Sequence, residues 1–237
     1  VVKKPPSDPS IAKTNVSTLL GEASSVTKSA SEKIDFLISG ELPQEISKIS
    51  EERHQDVIES LRVMNRIQKQ NGSRACHRFI ISNCRGMADI AAVVGLARMA
   101  GVWEKMELDV VPLFETIDDL ANAQSEVAQM YAHDVYRNHL RTRRDHQTVM
   151  LGFSDGTKDG GYLQANWSIY QAKRRMTALS RSEGVTVLFF DGRGGPPARG
   201  GGNTHRFYAS LGSDIENTEI QTTIQGQTIS SNFGIPK

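Results

Sequence analysis

Short runs of apolar residues without polar alternation punctuate this chain, separated by stretches in which apolar residues recur every three or four positions. Phe79-Ile80-Ile81-Ser82, Leu108 to Phe114, Thr148 to Phe153 and Val185 to Phe190 are the continuous runs, with Ile220 to Ile224 as a candidate fifth. Runs of this length predict strands covered on both faces. The stretches between them predict helices over Met87 to Met99, over 117–141 and from about Gly161 to Arg181. In the last of these Ala165, Ile169, Ala172, Met176 and Leu179 share one stripe. Strand and helix in alternation predict an α/β fold built on a parallel sheet.

Upstream the texture is helical without strands. Ile34, Leu37 and Ile38 fall at helical spacing and Gly40 is a stop; Ser50-Glu51-Glu52-Arg53 opens a longer helix that closes at Asn71-Gly72. Val57, Leu61 and Met64, with Ile67 or Gln68, make its inward face. Residues 1–30 are rich in Ser, Thr, Pro and Lys and predict a weakly packed lead-in, with a short helix over 16–20. The expected organisation is therefore a lead-in over 1–30, a helical lead-in over 31–74, and an α/β region over 75–237. Ser82, Glu115, Asp155 and Arg193 all stand just past the C-terminal end of a predicted strand. Both an α/β barrel and a doubly wound sheet build their chemistry at that edge, and the pattern leans to the barrel.

Charge and composition narrow the partners. A formal net charge of +1 over 237 residues leaves no broad basic field for nucleic acid. The positive cluster at 193–206 is local and suits a small anion. Cys76 and Cys84 lack metal-type spacing and read as free thiols of a reducing compartment. No apolar run approaches the roughly 20 residues that a membrane span needs. No signal-peptide pattern is visible, so a cytoplasmic protein is expected, and Val1-Val2-Lys3-Lys4-Pro5-Pro6 reads as a cut inside a longer chain.

Two segments carry the chemistry. Phe153-Ser154-Asp155-Gly156-Thr157-Lys158-Asp159-Gly160-Gly161 sets a carboxylate beside a lysine. Glu115 and Asp155 each read singly as a cap or loop acid, but as a pair at the ends of adjacent strand units they suit Mg²⁺ or Mn²⁺, which prefer hard oxygen donors. Lys158 reads either as a surface lysine or as a cation for an anion bound at the helix start. The second segment, 192–202, holds six glycines with Arg193 and Arg199. Glycine admits backbone N–H groups close to phosphate oxygens and arginine adds planar charged donors; the plain alternative is a hinge. Neither the dinucleotide nor the P-loop spacing is present. His205 reads as a hydrogen-bonded loop residue, and Trp103 and Trp167 as packing residues.

The runs FIISNCRGMADIAAVVGLARMAG, LDVVPLFETIDDLANA, VMLGFSDGTKDGGYLQANWSIYQA, FFDGRGGPPARGGGNTH and IQTTIQGQTISSNFG resemble the phosphoenolpyruvate carboxylase family in order and spacing. The resemblance is strong from about residue 75 onward and weaker over 31–74. It implies part of a parallel (β/α) barrel (TIM-like) with additional helices, in a cytoplasmic homotetramer much longer than this chain. It implies carboxylation of phosphoenolpyruvate by bicarbonate to oxaloacetate and phosphate, with Mg²⁺ or Mn²⁺. Glu115 and Asp155 correspond to metal ligands and Lys158 to an active-site residue. Arg193 corresponds to a catalytic arginine, and Arg199 to a substrate arginine acting mainly on the phosphate. Gly194, Gly200 and Gly201 are the expected backbone contacts to substrate.

This chain departs from the family pattern at two positions. Asp191 stands where the family commonly has histidine, so an extra acid adjoins the phosphate loop and should weaken anion binding unless a cation pairs with it. Gly156 replaces a serine. The family's catalytic histidine and further substrate arginines lie outside the span present here, so the chain alone is expected not to catalyse the reaction. The competing expectation is a non-catalytic binding or regulatory module, which Asp191 favours. A cut barrel would also expose strand edges and apolar helix faces, so self-association is expected.

Overall fold

The computed structural model describes residues 29–42, 52–82, 84–192, 204–224, 229–230 and 234. Of the lead-in expected over 1–30, residues 1–28, with the helix at 16–20, lie outside them, and Ser29 and Ala30 belong to the start of the first helix. Contacts divide the chain into two compact units, Val1–Phe79 with Gly86–Val110 and Ile80–Arg85 with Val111–Lys237.

The first unit is helical. Helix α1 (Ala30–Ser39) starts on a capping box: Ser29 Oγ accepts from Glu32 N and Glu32 Oε2 accepts from Ser29 N. Helix α2 (Glu52–Asn71) buries Ile58, Leu61 and Met64, so its inward face centres on Ile58 while Val57 is only half-buried. Gln68 is buried on the same face with its amide satisfied. Its Nε2 donates to the carbonyls of Cys76 and Glu107 at 2.7 Å each, and its Oε1 accepts from Glu107 N at 3.0 Å. Helix α3 (Met87–Met99) is almost wholly buried. Arg98 on α3 donates to Leu37 O at 2.8 Å and to Gly40 O at 2.7 Å, holding the C-terminal end of α1. Gly95 permits that approach, since a Cβ there would stand 2.8 Å from Leu37 Cδ2. Neither cysteine forms a disulfide; Cys84 is buried and Cys76 half-buried.

Five strands lie side by side in sequence order: β1 (Arg78–Ile81), β2 (Asp109–Phe114), β3 (His146–Gly152), β4 (Thr186–Gly192) and β5 (Gln221–Thr222). The pairings β2–β3, β3–β4 and β4–β5 are parallel. Strands laid down in sequence order, each followed by helix, are compatible with part of a barrel. The middle strands each bury a central block, as their continuous apolar runs require. The outer two depart from expectation. β1 is only half-buried, with Ile80 41% exposed, and β5 keeps two residues of the run 220–224 because Ile220 and Ile224 face outward.

The helices of the second unit also correct the sequence reading. The stretch 117–141 is two helices, α4 (Ile117–Ala132) and α5 (Asp134–Thr142), broken where His133 is extended (φ −84°, ψ 116°). Helix α6 (Ser154–Ser182) is two helical segments joined across a kink at Gly161 (φ 79°, ψ 168°): the longer one follows Gly161 as the spacing predicts, and a short one that the sequence reading did not include precedes it. Ala165, Ile169, Ala172 and Met176 are buried on α6 as the stripe predicts, together with Lys173, Thr177 and Ser180. Trp167 is not a packing residue: it is 55% exposed and stacks on Tyr170. Buried hydroxyls tie the layers. Tyr131 on α4 shares a 3.0 Å hydrogen bond with Ser180, and Tyr136 on α5 donates to Gln147 Oε1 on β3 at 2.7 Å. A short helix α7 (Thr204–Ala209) follows β4.

Candidate metal and phosphate site

Glu115 leaves the end of β2 and Asp155 sits in the first turn of α6, just past the end of the neighbouring β3. The parallel register Leu113↔Met150 and Phe114↔Leu151 aligns those two strand ends, so the two acids meet. Two glycines let them approach. A Cβ on Gly152 would lie 3.0 Å from Glu115 Cγ and 3.2 Å from its Cα, and a Cβ on Gly156 would lie 3.2 Å from Glu115 O. The start of α4 is held rigid by three side chains. Thr116 and Asp119 form a capping box, and Asp159 Oδ2 accepts from Ile117 N at 3.2 Å. Asp159 thus fastens the Ser154–Gly161 segment to the segment that bears Glu115.

The two carboxyls hydrogen-bond to each other, and their environments drive them apart in acidity. Burial, then the hydrogen bond to Asp155 and its charge, raises Glu115 from an ordinary 4.5 to about 7; Asp119 adds to this and Lys158 opposes it. Asp155 is held below the usual carboxylate range, chiefly by Lys158 and then by the bond from Glu115. Lys158 Nζ donates to Asp155 Oδ1 at 2.7 Å from a largely exposed position. The pair therefore shares one proton near neutral pH. Two oxygen donors pressed together with a proton between them fit a hard divalent cation, which would take the proton's place. Among the described residues no cluster of three or more His, Cys, Asp and Glu side chains forms a metal site, so these two acids would leave the remaining positions to water and substrate.

The structure thus brings Glu115, Asp155 and Lys158 together. Arg193, Gly194, Arg199, Gly200 and Gly201 lie outside the described residues. Asp191, two residues before Arg193, is 3% exposed, and the cation that its charge demands is Lys173 of α6. Lys173 Nζ donates to Asp191 Oδ2 at 2.6 Å with both side chains almost wholly buried. The same oxygen accepts from the Tyr208 hydroxyl at 2.6 Å, and the ammonium lies 5.4 Å from the ring centroids of both Phe189 and Tyr208. Sequence reasoning missed Lys173 and Tyr208. The available signal was position: Lys173 stands four residues after Ile169 and three before Met176, on the buried stripe. His205 is exposed on α7.

These features define an α/β protein with an acidic pair and a lysine at the C-terminal edge of a parallel sheet. The family model for phosphoenolpyruvate carboxylase matches residues 21–237, and the chain belongs to that family. It is 40% identical over 166 residues to the phosphoenolpyruvate carboxylase of Corynebacterium diphtheriae, covering 70% of this chain and 18% of the relative. To the Gloeobacter violaceus protein it is 35% identical over 187 residues, covering 77% of this chain and 20% of the relative. To that of Xanthomonas campestris pv. campestris it is 34% identical over 226 residues, covering 93% and 25%. The chain thus spans 18–25% of these relatives' lengths. Among the described residues no helix is long and apolar enough to cross a membrane.

Proposed function

We propose that this chain is the metal-binding and phosphate-binding part of a phosphoenolpyruvate carboxylase, with residues 75–237 forming part of a (β/α) barrel. The observation that carries the reading is the meeting of Glu115, Asp155 and Lys158 at the C-terminal ends of β2 and β3. Glu115 and Asp155 would hold Mg²⁺ or Mn²⁺, which when bound stabilises negative charge on the substrate's enol oxygen. Lys158 keeps Asp155 ionised and adds positive charge at the same edge. Arg193 and Arg199 would hold the phosphoryl group, and Gly194, Gly200 and Gly201 would offer it backbone N–H donors.

The reaction that these groups serve begins with a bicarbonate oxygen attacking phosphorus. The bond from phosphorus to the enol oxygen breaks, giving carboxyphosphate and the enolate of pyruvate. Carboxyphosphate then yields phosphate and CO₂, and the enolate carbon attacks CO₂ to form oxaloacetate. The arginines act while charge moves between these oxygens, where preorganised donors are most effective. A site closed to water protects the enolate from protonation. The working protein is read as a cytoplasmic homotetramer, and this chain alone as inactive.

The alternative of a non-catalytic module drew on Asp191 as an unpaired acid beside the phosphate loop. Its pairing with Lys173 favours the enzyme. The test is oxaloacetate formation from phosphoenolpyruvate and bicarbonate with Mn²⁺, in the complete protein as its gene encodes it and in this chain alone. Activity in the former that is lost in Asp155→Asn supports the proposal. Turnover by this chain alone, or none by the complete protein, overturns it.

A further inference from the structure

Asp155 and Asp159 stand one helical turn apart on the segment of α6 that precedes Gly161, and both meet the stretch 115–117. Asp155 shares a hydrogen bond with the Glu115 carboxyl, and Asp159 Oδ2 accepts from Ile117 N at 3.2 Å. That N–H is the first of α4 and has no acceptor within its own helix. The local cap serves its neighbours instead: Asp119 Oδ2 accepts from Thr116 N at 3.0 Å and from Glu115 N at 3.4 Å. The Ile117 side chain lies against the same segment of α6. A Cβ on Gly160 would stand 3.0 Å from its Cγ1, and one on Gly156 would stand 3.8 Å from its Cδ1. This segment has little helical stability of its own, since it holds Gly156 and Gly160 and the kink at Gly161 separates it from the long helix beyond. Its place beside Glu115 therefore depends on its ties to the start of α4.

We propose that Asp159 is a positioning residue of the cation pair: by holding Ile117 N it fixes the separation of Glu115 and Asp155, and so makes the pair prefer Mg²⁺ and Mn²⁺ to the larger Ca²⁺. The proposal rests on the carboxylase reading above, through its metal pair. Its physical basis is the different tolerance of the cations. Mg²⁺ demands near-ideal geometry with oxygens at about 2.1 Å, whereas Ca²⁺ accepts flexible arrangements at about 2.3–2.6 Å. A pair of ligands held at a set separation therefore favours the small cation, and a loosened pair loses that preference. Asp159 is placed to do this because it stands on the same turn as one ligand and bonds the backbone two residues past the other. Its charge also suits the N-terminal end of α4. Asp159 itself is not a metal ligand in this reading, since its carboxylate is engaged with Ile117 N.

The test uses the complete protein and needs no turnover. Electron paramagnetic resonance of free Mn²⁺ gives the Mn²⁺ affinity, displacement by Ca²⁺ gives that of Ca²⁺, and the site's share is the binding lost in Asp155→Asn. Asp159→Asn removes the charge but keeps an acceptor for Ile117 N, so it should weaken both cations alike and leave the preference for Mn²⁺ over Ca²⁺ within about twofold. Asp159→Ala removes the acceptor as well and should narrow the preference about fivefold, the worth of one net hydrogen bond. Ile117→Pro deletes the donor and leaves every charge in place. Proline suits this position, the first of α4 after an extended Thr116 (φ −86°, ψ 165°), and the variant should narrow the preference as Asp159→Ala does. A preference unchanged in either Asp159→Ala or Ile117→Pro overturns the proposal, as does one narrowed equally by Asp159→Asn. Mn²⁺ binding undiminished in Asp155→Asn overturns the metal pair and this proposal with it. If the unmodified protein binds Mn²⁺ through Asp155 but makes no oxaloacetate, the carboxylase reading fails on its own, and the cation preferences still decide the role of Asp159.

Discussion

The carbonyl oxygen of Glu115 lies 3.2 Å from the point that a Cβ on Gly156 would occupy, and Ala165 Cβ lies 3.6 Å from that point. Gly156 is buried, and the atom it faces is backbone held by the cap of α4, so the neighbour cannot swing aside. The absence of serine at this position therefore has a packing reason in this chain. Gly156→Ser should lower stability by about 1 kcal/mol, the overpacking cost exceeding the gain in helix propensity. It should also weaken Mn²⁺ binding, because the displaced residue is Glu115. Urea unfolding and a Mn²⁺ titration of the same variant check both halves, and a variant as stable and as tight as the unmodified protein rejects the packing argument.

Gly161 provides the converse case. No heavy atom lies within 4 Å of a Cβ placed there, yet φ is +79°. Gly161→Ala therefore meets no steric neighbour and isolates backbone strain, which should cost about 1–2 kcal/mol. A urea midpoint unchanged or raised by this substitution would show that the break in α6 straightens at no expense.

Arg98 tests the first unit. Its guanidinium supplies two donors to the carbonyls of Leu37 and Gly40, which lie at the C-terminal end of α1 where no intrahelical partner remains. Arg98→Ala should cost about 2 kcal/mol and release α1 first. Limited trypsin proteolysis should then cut after Lys33 well before it cuts after Arg62 or Arg66 within α2, and equal rates at the two places would contradict the assignment.

Legibility in the sequence followed burial. The runs at 108–114, 148–153 and 185–190 match β2, β3 and β4 closely, because a strand covered on both faces must be apolar throughout. The run at 220–224 is apolar only at its two ends, and both of these, Ile220 and Ile224, are exposed while pairing stops after Thr222. The break at His133 carried no glycine or proline to mark it; Asp134 in the first turn of α5 was its only trace. Glu115, Asp155 and Lys158 were legible because strand-end position alone gathers them at one edge. Lys173 was not, since a lysine within a helix reads as solvated until its carboxylate is found on another element.

The acid pair gives the most direct pH prediction. Glu115 has a folded-state pKa of about 7 against an ordinary 4.5, so between these values the folded chain binds a proton that the unfolded chain has released. Stability falls wherever the folded state holds more protons, so the metal-free chain should lose stability as the pH rises from about 4.5 to about 7, then level off. Asp155, shifted downward, contributes in the opposite sense at lower pH, where its stabilisation disappears as it is protonated. Glu115→Gln retains a hydrogen-bonding group without the titration. It should flatten the decline, and at pH 8 it should unfold at a higher urea concentration than the unmodified chain. Mn²⁺ should reverse the order, stabilising the unmodified chain at pH 8 and leaving Glu115→Gln unmoved, since the cation replaces the proton that the pair shares. Melting curves at about pH 5 and pH 8, with and without Mn²⁺, check every limb. A decline that persists in Glu115→Gln would place its origin elsewhere, and equal stabilisation of both proteins by Mn²⁺ would remove Glu115 from the metal site.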